Sequence, residues 1–411
     1  MQELDRNGFS AVSFSRETER GRRGKSMKKI RIGIAGTRGL STVTGLKAFG
    51  DVEIAAVCDL DEEHLERAAK ATGAEKKYRI FDDMLESDID AVIIATPMQC
   101  HMPQAVAALE AGKHVMSEVT AGVTMDELFW LCESVEKYGK IYMFAENLVY
   151  MPEVLQVREM VRAGLFGKPY YAEGNYLHNI SNLFVYPNGK TSWRSFWQCG
   201  VRGNFYPTHS LGPVMSWFPG ERICEISCFS PGVRHAYGLK QDSGTVTMCQ
   251  TDRGGLIAIR TDCTSPRPRS NDSFLLQGTK GVFRARAYPG DRDLVSFAGE
   301  GNPDHAMIWE DLSRYADAYL PARCKNATGE QKGAGHGGSD FFIVEDFINA
   351  VRSGVQPELD VYKACEWTAV GLLSALSVTN GGRPVEVPRF RPGMPLEEKR
   401  IGILPRPAFP V

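Results

Sequence analysis

Between Ile30 and Phe144 the chain alternates short branched or aromatic runs with helical stretches, and that alternation admits few folds. The runs are Ile30–Ala35, Val52–Cys58, Ala91–Ala95, His114–Ser117 and Ile141–Phe144. The stretches between them are a helix from the glycine turn to about Phe49, then Asp61–Thr72, Pro103–Ala111 and Met125–Tyr138. Strands joined by helices can pair only in parallel, which predicts a doubly wound sheet covered on both faces. Ligands of such a sheet lie at the carboxyl ends of its strands. The segments expected there are Gly36-Thr37-Arg38-Gly39, Asp59, Thr96-Pro97 with His101, Ser117-Glu118, and Glu146-Asn147 with Tyr150.

A glycine turn after a buried strand lets backbone N–H groups approach a pyrophosphate at the start of a helix. Asp59 ends the next strand, twenty positions on from Gly39, where a carboxylate holds a ribose diol. Counted from Gly36, a G-x-G-x-x-G pattern would put glycine where Arg38 and Ser41 stand, so the loop is either rearranged or shifted. Asp59 is followed by Leu60-Asp61-Glu62-Glu63 with no neighbouring arginine, which predicts NAD over NADP because a 2′-phosphate would meet acids. A Rossmann-like domain without a cofactor is the alternative this loop leaves open.

After Tyr150 the pattern changes. Helix Pro152–Ala163 is followed by Tyr170–Tyr176, Ile223–Phe229, Gly244–Thr251, Leu256–Thr261, Asn271–Gln277 and Gly281–Ala287, strand-like runs without helices between them. They predict a second, α+β domain with a mostly antiparallel open sheet, completed by helices Phe341–Ser353 and Val361–Thr379. The expected organisation is a flexible extension at 1–26, an NAD-binding Rossmann domain at 27–150, a substrate domain at 151–390 and a proline-rich tail at 391–411. The extension is polar and rich in Arg and Glu, which excludes a secretory signal.

A formal net charge of −2 gives no electrostatic reason to expect nucleic acid or a membrane surface, so a small molecule is the expected partner. The ten cysteines form no C-x-x-C pair and no Cys/His ligand spacing, which argues against metal and disulfides and for reduced thiols in the cytoplasm.

Proton chemistry is suggested first by Tyr206-Pro-Thr-His209, where a phenol and an imidazole three residues apart at a strand-to-helix junction can face one cleft. A capped helix with a structural histidine is the alternative. The segment Asn179–Gly203 is aromatic, with Tyr186, Trp193, Phe196 and Trp197 suited to a sugar face or to plain packing. Its bases Lys190, Arg194 and Arg202 could meet an anionic substituent or simply be solvated. His336, set among Gly335, Gly337 and Gly338, can come close to a ligand. Asp340 and Glu146-Asn147 could instead serve as helix caps, and His178 as a surface histidine.

Together these segments resemble the Gfo/Idh/MocA oxidoreductases from about Lys28 to Phe390, through the Thr96-Pro97…His101 turn, Arg162-Ala-Gly164-Leu-Phe-Gly167-Lys-Pro169 and Asp360-Val-Tyr-Lys-Ala364. Most such enzymes have Glu-Lys-Pro where this chain has Glu118-Val119-Thr120. The branch that looks similar is the NAD-dependent glycosidases of glycoside hydrolase family 109. The motifs that carry this are Ser117-Glu118-Val119, Glu146-Asn147…Tyr150, Tyr176-Leu-His178, Tyr206-Pro-Thr-His209-Ser-Leu-Gly-Pro213 and Gly335-His336-Gly-Gly-Ser-Asp340.

The resemblance implies a homo-oligomer that oxidises sugar carbon 3 with NAD, eliminates the aglycone, adds water and restores the hydride. It implies Tyr206, His209, Tyr176 and Glu146 as catalytic residues. It also implies Gly36, Thr37, Arg38, Gly39, Asp59, Thr96, Pro97, His101, Glu118 and Asn147 at the cofactor, and Tyr150, His178, Trp193, Arg194 and His336 at the substrate. The rivals are a sugar dehydrogenase that releases the keto product and a non-catalytic binding protein.

Overall fold

The computed structural model describes residues 29–298 and 308–395. The extension expected at 1–26 lies outside the described residues, as does the tail from 396 onward. In the first half, β1 (Ile30–Ala35), β2 (Val52–Cys58), β3 (Lys76–Tyr78), β4 (Ala91–Ile94), β5 (His114–Ser117) and β6 (Tyr142–Phe144) form one sheet in the order β3-β2-β1-β4-β5-β6. Every pairing is parallel. The central strand β4 is buried at every position, as a sheet with both faces covered requires.

Local chemistry sets the helices. Asp61 caps Glu62–Thr72 by accepting the His64 N–H, and Gly73 ends it in the left-handed region at φ 80°. Thr124 and Glu127 form a reciprocal capping box for Met125–Tyr138. The turn after β1 differs from expectation: a 3₁₀ segment, Thr37–Thr42, precedes a short α-helix, Val43–Lys47, in place of one helix to Phe49.

The second sheet comprises β7 (Pro169–Leu177), β8 (Ile223–Phe229), β9 (Thr245–Thr251), β10 (Leu256–Asp262), β11 (Ser270–Gly278), β12 (Gly281–Arg284), β13 (Leu294–Phe297), β14 (Glu310–Asp311) and β15 (Val385–Glu386). Their order is β14-β13-β12-β11-β7-β10-β9-β8-β15, antiparallel throughout except for the β7–β10 pair. Strict alternation of buried and exposed residues along β9 shows one covered face and one open face. Helices Thr208–Met215 and Val361–Thr379 lie on the covered face.

The carboxyl-terminal helices also reach the first sheet. The Phe144 N–H donates to the Leu359 carbonyl at 2.8 Å, and the Ala121 N–H to Thr368 Oγ1 at 3.1 Å. One apolar core therefore runs through both sheets and includes Phe144, Val344 and Trp367. Burial of each such side chain stabilises the fold by roughly 1.5–3 kcal/mol relative to exposure. This shared core fixes the wall built from the second sheet against the strand ends of the first.

Candidate active site

The turn after β1 resolves the irregular glycine pattern. Gly36 sits at φ 86°, and a Cβ there would stand 2.4 Å from the Ala95 carbonyl oxygen, so only glycine fits between the ends of β1 and β4. A Cβ on Gly39 would meet Ile34 Cγ2 at 2.6 Å, which is the close helix-on-strand approach expected of the last glycine of a dinucleotide turn. Two glycines three residues apart thus serve turn and packing, and neither Arg38 nor Ser41 stands where one is needed. Asp59 accepts the Thr37 N–H at 3.2 Å and the Asp61 N–H at 3.0 Å, which orients its carboxylate at the end of β2. Folding also brings in a base that is absent from the neighbouring sequence: Arg79 donates to the Leu60 carbonyl and lies 3.9 Å from Glu62.

Arg38 lies among acids. Its guanidinium is held charged chiefly by Glu118, with Asp340 adding to the effect. Burial pushes the Glu118 carboxyl up and Arg38 opposes that rise. Asn147 donates to Asp340 Oδ1 at 2.6 Å, and His336 Nδ1 lies 3.1 Å from the same oxygen. Burial works to raise Asp340, but the hydrogen bond and charge of His336, with Asn147 and Arg38, outweigh it and hold the carboxyl below its ordinary range. Asp340 is thus no cap: its helix begins at Ser339 after Gly338, and its carboxylate faces inward.

A second group adjoins it. The buried Glu146 carboxylate lies 2.7 Å from His209 Nδ1 and accepts the Leu148 N–H at 3.2 Å. A carboxylate at Nδ1 fixes the proton on that nitrogen and leaves a lone pair on Nε2, which lies 3.4 Å from the Tyr206 hydroxyl. The Glu146 pose depends on Gly212, one turn along the helix from His209, where a Cβ would come within 2.7 Å of Glu146 Cγ. Tyr206 also packs edge-on to His209, with ring centroids 4.9 Å apart. Burial, then the charges of Glu118 and Glu146, raise its phenol, so Tyr206 stays protonated near neutrality.

Tyr176 packs against both residues, 5.2 Å from Tyr206 and 5.5 Å from His209 between ring centroids, and its hydroxyl lies 3.2 Å from His178 Nδ1. Burial, then Arg269, His209 and Arg194, push the His178 imidazole down to about 4, so it is neutral at physiological pH. Tyr206-Pro-Thr-His209 follows a loop, not the strand that was expected. Asp242 accepts the Gly203 N–H at 2.8 Å and Ser374 Oγ the Asn204 N–H at 2.7 Å, so side chains occupy donors a strand ladder would need.

Two expected site residues fall elsewhere. Tyr150 is in the core, with the Arg323 guanidinium 5.5 Å from its ring centroid and its hydroxyl bonded to Asp346. His101 is buried with Nδ1 2.8 Å from the Thr120 carbonyl and Nε2 2.8 Å from the Thr96 carbonyl. Both nitrogens are taken by backbone, so His101 fastens two loops and has none left for a cofactor. Thr96 donates its hydroxyl to Gln104 Oε1 at 2.6 Å, and Pro97 opens the 3₁₀ turn Met98–Cys100. Trp193 lies beneath Arg194, 4.4 Å from the guanidinium.

The donor set suits a dinucleotide. Asn147 Oδ1 is buried with no hydrogen-bond partner among the described residues, in a recess lined by Ser41, Thr42, Met116, Glu118 and Asp340. An orphaned amide oxygen at the strand ends is an acceptor ready for a carboxamide N–H.

Comparison with known proteins agrees. Residues 30–146 match the oxidoreductase family with an NAD-binding Rossmann fold, and residues 150–396 match the glycosyl hydrolase 109 C-terminal domain. The chain is 32% identical to a glycosyl hydrolase family 109 protein of Shewanella putrefaciens, over 92% of this chain and 88% of that one. It is equally similar, with the same coverage, to an alpha-N-acetylgalactosaminidase of Shewanella oneidensis. Among solved structures, levoglucosan dehydrogenase in complex with NADH and L-sorbose superposes with a TM-score of 0.74 at 20% identity, over 89% of this chain and all of that one. Scyllo-inositol dehydrogenase from Lactobacillus casei superposes with a TM-score of 0.64 at 18% identity, over 87% and 99%. The catalytic-looking wall and the dinucleotide turn therefore sit within one lineage: the chain belongs to glycosyl hydrolase family 109, NAD-dependent glycosidases built on the Gfo/Idh/MocA fold.

Proposed function

We propose that the enzyme hydrolyses a glycoside through transient oxidation at sugar carbon 3, and that Tyr206, His209 and Glu146 handle the proton of the oxidised hydroxyl. The observation that carries this is the Glu146–His209–Tyr206 series, at 2.7 Å and 3.4 Å. His209 Nε2 accepts a proton, Glu146 stabilises the imidazolium that results, and protonated Tyr206 orients the hydroxyl. Tyr176, paired with His178, is a second phenol on the same wall. It serves carbon 2 or the departing oxygen, because elimination needs a proton taken at one atom and given at another.

Bound NAD would supply reversible hydride acceptance at carbon 3, and a ketone there acidifies the carbon 2 proton. Gly36, Thr37 and Gly39 would hold its pyrophosphate, Asp59 its ribose diol, and Thr96, Pro97, Glu118 and Asn147 its nicotinamide end. Arg38 would neutralise Glu118, and His336 with Asp340 would hold Asn147 in place.

The ten free thiols support a cytoplasmic location, and among the described residues no helix is long and apolar enough to cross a membrane. Phe229, Val246 and Leu256, exposed on the second sheet, support a homo-oligomer. The test of the mechanism is cleavage in heavy water with catalytic NAD. Deuterium on carbon 2 of the released sugar, with no net NADH, is the expected outcome. Accumulating NADH would establish the dehydrogenase instead, and cleavage without deuterium would exclude elimination.

A further inference from the structure

The two ends of the cleft differ in charge. Glu118, Glu146 and Asp340 gather near Arg38, whereas Arg194 and Arg269 stand near His178. Arg194 opens the short helix Arg194–Trp197, which is held against the Tyr176 cluster through Cys199. It stacks on Trp193 and donates Nη1 to Gln198 Oε1 at 2.7 Å. Both partners are neutral, and among the described residues no carboxylate pairs with it.

Arg269 arrives with β11. The antiparallel β7–β11 pair ends with Ser270 opposite Leu177, and Arg269, the exposed residue just before it, is near enough to His178 for its charge to lower the imidazole. The Arg194 guanidinium is thus partly buried without a counter-ion, near an imidazole that is neutral. That arrangement is unfavourable until an anion arrives. The other bases of the aromatic segment do not share it: Arg202 donates to buried Asp242 at 2.7 Å, and Lys190 is exposed at a turn.

We propose that Arg194 and Arg269 form an oxyanion subsite, so that the sugar cleaved carries a carboxylate or sulfate on the far side of the ring from carbons 2 and 3. This rests on the glycosidase reading above. Acids at one end of the cleft and bases at the other then orient the substrate before chemistry begins.

The test compares kcat/KM of the NAD-loaded enzyme for 4-nitrophenyl glycosides in matched sets: neutral hexoside, uronate and 6-sulfate, each in gluco and galacto form and in both anomers. The expected result is a preference of about tenfold or more for an anionic member. Arg194→Gln and Arg269→Gln should each reduce that preference by about tenfold, the lower worth of a charge-assisted hydrogen bond, with retained NAD binding showing that the variants fold. Uronate favoured over sulfate assigns a planar group, and the reverse a tetrahedral one. Equal or better cleavage of the neutral hexoside overturns the subsite and leaves the glycosidase standing. If no member is cleaved, the glycosidase reading fails for these sugars only. Calorimetry with methyl glucuronide against methyl glucoside then decides the subsite: tighter glucuronide binding lost in both variants supports it, and equal binding overturns it.

Discussion

The strand ends of the first sheet and the wall raised by the second present different chemistry across one cleft. At the strand ends the groups are backbone, carboxylates and an amide, with Arg38 and His336 set against the acids, fixed by short bonds such as Thr37 N–H to Asp59. On the wall they are phenols and imidazoles stacked on one another, with Tyr176, Tyr206 and His209 all within 5.5 Å between ring centroids. The first set can hold a large polar molecule but has little to shuttle. The second can pass protons but has little to grip a dinucleotide. Binding and proton transfer should therefore be separable by substitution.

The largest effect expected is on the wall. Tyr206→Phe and His209→Ala should each lower turnover by about 10²–10⁴-fold, the usual worth of a positioned acid or base, while NAD affinity stays close to that of the parent. Rapid kinetics with calorimetry on the same samples checks this. Near-parental turnover in either variant would remove that residue from the chemistry, and a matching loss of NAD affinity would break the separation.

The opposite profile is expected across the cleft. Asp59→Ala should weaken NAD by about 10- to 100-fold, as loss of a hydrogen bond to a charged group does, with turnover at saturating NAD falling far less. A tightening for NADP beyond that for NAD would show that Arg79 governs the pocket more than Asp59 does.

The smallest effect sharpens the comparison by isolating a buried carboxyl that belongs to neither set. Glu366 accepts the Ile223 N–H at 3.1 Å on helix Val361–Thr379, and burial, partly offset by that bond, pushes its carboxyl up to about 7. The folded state keeps a proton that the unfolded chain releases near its ordinary carboxyl value, so stability is lost as pH rises from about 4.5 to 7. Glu366→Gln should raise Tm by roughly 1–3 °C at pH 8, with the gain gone by pH 5. Thermal scans at both values check it. An equal gain at both would mean that no charge is being buried.

Much of this was legible from the residues, for reasons that differ by region. The first sheet's strands are mostly continuous apolar runs between helices, so their existence and parallel pairing followed from pattern. β3 did not, since Lys76-Lys77-Tyr78 at the sheet's edge has no apolar face, and β14 and β15 are two residues each. In the site, motif spacing located Tyr206, His209 and Glu146, but direction depends on tertiary packing. Nothing near Tyr150 in sequence says that its hydroxyl meets Asp346, nor that both nitrogens of His101 meet carbonyls. Asp340 was visible four residues after His336 but read equally well as a cap. Arg269, in a Pro-Arg-Pro-Arg run, carries no signal until β11 pairs with β7.

Gly212 has a consequence for how this enzyme tolerates change. Glu146 Cγ lies 2.7 Å from where a Cβ on Gly212 would stand, so the methylene that carries the carboxylate steering His209 occupies space left by a missing side chain. Any other residue at 212 would crowd that carboxylate and turn the imidazole with it, although every group that handles a proton would still be present. A survey of substitutions ranked by chemical role would pass over this position, yet it is where the smallest change in covalent structure would silence the largest part of the machinery.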